Sequence, residues 1–136
     1  TKRTSSDPAV HLAIAVSTFL LEASRKPHRA RVMVSYLVGV TSLEDPANAR
    51  LREALISGAA LNRFTYSDLD SALTYVLGIV SSGMLLVAQD AATNRPKVPR
   101  HLVELMLTGL GLPLDEIEPV IGSVPALLES PAVKLD

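Results

Sequence analysis

Nineteen consecutive residues, Ser71 to Gln89, carry no charge, and the small residues Gly78, Ser81, Ser82 and Gly83 lie inside that run. A surface helix needs one apolar stripe and a charged face opposite it. A helix without charges on any side has to be covered on every side, by its own domain on one face and by something outside the chain on the other. The run therefore points to a partner.

A bilayer is one possible cover, because about twenty apolar residues span a membrane. The flanks here are Asp70 and Asp90, Ser and Thr recur within the run, and no Lys/Arg cluster marks a cytoplasmic side. No membrane partner is expected. Thr1 to Arg3 is followed by Asp7 and Pro8, which does not build a secretory signal.

The chain of 136 residues is long enough for one domain with its own core. Hydrophobic residues make up 48% and aromatics only 4%, with Leu, Ala and Val dominant, a mixture that favours an all-α fold. With no Cys there is no disulfide framework, thiolate metal site or cysteine nucleophile. A net charge of -1 lacks the surplus that a nucleic-acid surface needs.

Local signals divide the chain into helices. Asp7-Pro8 is a cap followed by a proline suited to the first helical position, opening a helix to about Ser24. On it Val10, Ile14 and Leu21 form one stripe, flanked by Leu12, Val16 and Phe19, with His11, Thr18, Glu22 and Arg25 opposite. After the basic residues Arg25, Lys26, His28, Arg29 and Arg31, the residues Val32, Met33, Tyr36, Leu37 and Val40 suggest a second helix ending near Thr41.

Asp45-Pro46 repeats the cap device for a third helix, with Leu51, Leu55 and Ile56 inward, Asn48 outward and Gly58 near its end. Ala59 to Tyr66 reads as a connection in which Asn62 takes a left-handed conformation. Ser67 is expected to cap the long uncharged helix, which reaches Ala91 or Ala92. Thr93 to Pro99 breaks the chain before a helix over about Pro99 to Leu110, and Pro113, Pro119, Pro125 and Pro131 interrupt the remaining residues. The last two major helices form a hairpin with more apolar surface than a small domain needs, so two copies stacking it about a two-fold axis would build a four-helix interface. The residues expected there are Gly78, Ser82, Leu86, Leu102, Leu105, Met106 and Gly109.

Asn62-Arg63-Phe64 before an acidic turn, a long apolar helix with Gly78 at its middle, and an amphipathic helix closing on Thr108-Gly109-Leu110-Gly111-Leu112 together resemble the C-terminal domain of tetracycline-repressor (TetR) family regulators, over about Pro8 to Leu128. The resemblance implies an all-α bundle of about five to six helices that dimerises through its last two major helices. It further implies an effector pocket among the others and operator DNA binding through an N-terminal helix-turn-helix domain that these residues do not include. On that reading residues 1–136 form one ligand-binding and dimerisation domain, cytoplasmic and part of a repressor.

For the pocket, apolar bodies with polar tips on inward faces point to Phe19, Met33, Tyr36, Tyr75 and Met84, with Asn62 and Thr41 near its mouth. The effector is expected to be small and mostly apolar, and no cofactor is implied. His11, His28 and His101 fall on separate elements, without the spacing of a metal-binding helix. The acid pairs Glu44 with Asp45, Asp68 with Asp70 and Asp115 with Glu116 all fall at helix starts, where capping and the helix dipole explain them without catalysis. The alternative to an effector domain is a helical dimerisation or scaffold module with a solid core and no ligand.

Overall fold

The computed structural model describes residues 6–39, 46–89 and 97–128. In it Asp7 accepts a hydrogen bond from the Ala9 amide at 2.9 Å and Pro8 occupies the first turn, so α1 (Pro8–Arg25) begins where the cap-and-proline pair places it. Then follow α2 (Pro27–Gly39), a 3-10 turn (Pro46–Asn48), α3 (Ala49–Ala60), α4 (Leu69–Gln89), α5 (Val98–Gly109), α6 (Leu114–Gly122) and the short α7 (Pro125–Leu128). No strand occurs among the described residues. The fold is an all-α bundle, as the composition implies.

The uncharged helix α4 is its organising rod and packs against α1, α2, α3 and α5. It is long and apolar enough to cross a membrane, yet Ala72, Leu73, Val76, Val80, Met84 and Val87 are buried within the bundle. Helix α1 lies across the same core and touches α3 through α7 as well as α2. It buries Ala9, Leu12, Ala13, Val16, Leu20 and Ala23 with no measurable exposure. Ile14 departs from the expected stripe: it is 44% exposed, beside His11 and Thr18. Alanines take the inward positions because their small side chains let helices approach closely, so size alone misjudges which face turns in.

One further apolar assignment fails for the same reason. Ile56 on α3 faces outward, whereas Leu51 and Leu55 are buried as expected, and Val32 on α2 is exposed as well. Asn48 is buried rather than outward, at the junction of the 3-10 turn and α3. Gly58 does not end α3. It sits inside the helix, where the Phe64 ring packs directly on its Cα, and its carbonyl accepts from the amides of Arg63 (2.7 Å) and Phe64 (3.1 Å).

Asn62 adopts φ 60°, the left-handed turn expected of it. The cap of α4 is Asp68 rather than Ser67: its carboxylate accepts from the Ser71 amide at 2.8 Å and the Ser71 hydroxyl at 2.9 Å. These two bonds hold the Asp68 carboxyl below its ordinary pKa. Helix α2 already begins at Pro27, so His28, Arg29 and Arg31 lie within its first turns rather than ahead of it. Pro119 lies inside α6 and Pro125 opens α7, so neither breaks the helix it belongs to. The expected ends near Thr41 and at Ala91 or Ala92, the Asp45 cap, most of the Thr93 to Pro99 breaker and Pro131 fall outside the described residues.

Candidate functional site

Helix α4 turns Ser71, Thr74, Tyr75, Gly78, Ser82, Leu85 and Gln89 away from the core, a stripe that recurs with the helical turn. Exposed helix faces ordinarily carry charge, and beyond Asp70 in its first turn this one carries none. A Cβ built on Gly78 meets nothing within 4 Å, so the glycine opens the helix surface to the outside. Gly83, one turn further on and buried, is different: a Cβ there would lie 2.8 Å from Leu20 and 2.9 Å from Leu102, so its lack of a side chain serves the core.

Tyr75 bridges α4 to α5. Its hydroxyl donates toward the carbonyls of Leu105 (3.1 Å) and Met106 (3.3 Å), and it lies so close to Gly109 that a Cβ there would collide with it. Partial burial raises the pKa of this phenol, which stays protonated and able to donate. Beside the bridge runs an open, mostly apolar groove of about 410 Å³ lined by Thr74, Tyr75, Gly78, Ile79, Ser82, Gly83, Leu86 and Leu102. A second hollow, lined by Asp70, Ser71, Thr74 and Tyr75, shares two of these residues and extends the trough toward the start of α4. Leu105, 65% exposed, stands on α5 beside it.

The structure thus brings most of the residues expected at a dimer face onto one surface. Gly78, Ser82, Leu86 and Leu102 line the groove, and Gly109 lies under the tyrosine that closes it. Met106 is a correction: it has no exposed surface and points into the core with Val103 and Leu107. Helical geometry separates it from its neighbour Leu105 by about 100° around α5, which puts one inside and the other outside.

The residues expected at a pocket do not stay together. Tyr75, expected inward, is 38% exposed and belongs to the outer face. Met84 is 1% exposed in the core, with Phe19 and Met33 packed partly buried against it. Asn62 is an exposed turn residue, and the Tyr36 side chain and Thr41 lie outside the described residues. A separate surface hollow of about 310 Å³ between α1 and α3 is lined by His11, Ile14, Ala15, Arg50, Glu53, Ala54 and Ser57.

Sequence reasoning missed Thr74, Ile79 and Gly83 as groove residues, although all three lie in the uncharged run that signalled the face. It named Arg63 only within the Asn62-Arg63-Phe64 stretch and missed its ion pairs. This guanidinium forks onto Asp7 at 3.0 and 2.9 Å and reaches Glu116 at 2.6 Å, tying the start of α1, the α3–α4 connection and α6 together. The Asp7 bonds lead in raising its pKa above the ordinary arginine value. The Thr65 amide donates to the Leu110 carbonyl at 2.8 Å and fixes the same connection to the end of α5.

An all-α bundle whose longest helix turns an apolar face outward, with a second helix continuing that face, leaves one surface suited to a partner. The family model described as tetracyclin repressor-like, C-terminal domain, matches residues 7–122, and the chain belongs to that family. Domains of this kind belong to transcriptional regulators rather than enzymes. No curated protein and no solved structure matches the chain significantly.

Proposed function

We infer that this domain is the homodimeric effector-binding half of a cytoplasmic one-component repressor, released from operator DNA when a small, mostly apolar molecule binds. The supporting observation is the outer face of α4, uncharged from Ser71 onward and continued on α5 by Leu102 and Leu105, because an isologous dimer covers such a surface in both copies at once. The effector would lodge among α1, α2 and α4, where Phe19, Met33, Tyr36 and Met84 come from three helices that pack on one another. Tyr75 leaves that set for the dimer face, and Asn62 leaves it for the turn.

Mechanistically, two DNA-reading segments on a dimer have to match half-sites about one helical turn apart, so a small tilt of the helices leading to them changes operator affinity. The effector acts only through its differential affinity for the two arrangements, and effector and operator weaken each other by one common factor. The partial burial of Phe19 and Met33 against the core favours the second reading, a dimerisation module without a ligand.

Sedimentation of the wild type and of Ser82→Arg tests dimerisation: a dimer that the arginine dissociates is expected, and a monomeric wild type removes the proposal. A thermal-shift screen with apolar small molecules separates the two readings. A saturable rise in Tm supports the effector role, and a stable dimer that no compound shifts supports the scaffold.

A further inference from the structure

We propose that the hollow between α1 and α3 is a ligand site in its own right, one that takes a free α-amino acid with an apolar side chain. It shares no residue with the effector space among α1, α2 and α4, and it needs no second copy of the chain. The two helices meet there on small residues: Ala15 of α1 and Ala54 of α3 are buried and form the floor, while Ile14 stands 44% exposed at the rim. The recess holds about 310 Å³, at the lower end of the roughly 300–1,000 Å³ that small-molecule sites occupy. A ligand lying in it covers the isoleucine that α1 otherwise leaves in water.

The charges on α3 select the ligand. Arg50 and Glu53 both line the recess, about one helical turn apart, and both are exposed. Neither forms an ion pair or a side-chain hydrogen bond with another described residue, and they do not pair with each other. Their order is the reason: an acid one turn ahead of a base pairs better than the reverse, and Arg50 stands in the first turn of α3, at the positive end of the helix dipole. The fold draws no stability from either charge. A zwitterion uses both, because its carboxylate accepts from the Arg50 guanidinium, its ammonium donates to the Glu53 carboxylate, and its side chain lies over Ile14, Ala15 and Ala54. Side chains at this spacing have Cβ atoms about 5–6 Å apart, close enough for the two ends of one amino acid to reach both. A ligand with a single charge satisfies only one of them.

Titration of the protein with L-leucine, L-methionine and L-phenylalanine, followed by calorimetry and by backbone amide NMR, tests the site. Saturable binding at millimolar concentrations or below is expected for at least one of them, with the shifts centred on Ala15 and Ala54. Arg50→Gln and Glu53→Gln change exposed side chains and leave the core untouched. Each should weaken that binding at least about tenfold, because each removes a charge-assisted contact. The N-acetyl derivative of the amino acid that binds, which has no ammonium, and its amide, which has no carboxylate, should each bind at least about tenfold more weakly than the free amino acid.

No saturable shift with any of the three amino acids overturns the site. Binding that survives both substitutions, or that the N-acetyl derivative or the amide reproduces at full strength, overturns the assignment of a zwitterion held between Arg50 and Glu53.

Discussion

The Arg63 guanidinium forks onto the Asp7 carboxylate through Nε at 3.0 Å and Nη2 at 2.9 Å, joining residues 56 positions apart. Asp7 does two jobs with one side chain, because Oδ1 also accepts from the Ala9 amide as the cap of α1. Both residues are about one quarter exposed, so the pair is partly desolvated without being buried. Glu116 accepts from the remaining arm of Arg63 at 2.6 Å and extends the tie to α6.

The two partners are therefore unequal. Asp7→Ala removes cap and fork together and is expected to cost about 2–3 kcal/mol, against about 1–2 kcal/mol for Arg63→Ala. Arg63→Lys should not rescue the loss, since an ammonium has no planar fork to offer. Urea denaturation of the single and double variants checks this through a coupling energy of about 1 kcal/mol. Additive effects would show that the fork contributes nothing.

Gly58 and Gly78 predict opposite outcomes for one substitution. At Gly58 a Cβ would press into the Phe64 ring, whose Cγ would lie 2.8 Å away, and Phe64 is buried. Gly58→Ala should destabilise by about 1–3 kcal/mol through overpacking. At Gly78 nothing lies within 4 Å, so Gly78→Ala should stabilise the monomer by about 0.5–1 kcal/mol through helix propensity. Denaturation at concentrations too low for association measures both.

Asp68 predicts a pH dependence. Its folded pKa lies below the unfolded value, so its stabilisation is complete above the ordinary carboxylate range and is lost as pH falls through the lowered folded value. Asp68→Asn keeps a capping oxygen that does not titrate. The margin in Tm of the wild type over this variant should shrink between about pH 6 and about pH 3. Ser67→Ala, which removes no cap of α4, should leave Tm unchanged across that range.

The starts of α1 and α5 and the left-handed Asn62 were legible because each depends on neighbours within a few residues. Asp7 caps what Pro8 begins, and Asn62 tolerates a φ that costs other residues about 1–2 kcal/mol. The inward face of α1 was not, because which of Ile14 or Ala13 turns in depends on how near α3 to α5 approach. The cap of α4 passed from Ser67 to Asp68 by one position, a difference set by the exact turn at which the helix starts.

For the candidate site, the uncharged run by itself determined that one long helix would leave an apolar side outside the core, and Gly78 and Ser82 lie on that side. Periodicity alone could not separate Leu105 from Met106. The tertiary structure made that choice by packing α5 so that Met106 enters the core and Leu105 leaves it. It also joined Arg63 to Asp7 and Glu116, and moved Tyr75 from an expected interior to the wall of an outer groove. The physical reason is range: capping, backbone propensity and the lack of charge act within one or two helical turns. Which neighbour a side chain meets across the bundle is decided only when the packed helices compete for the same interior volume.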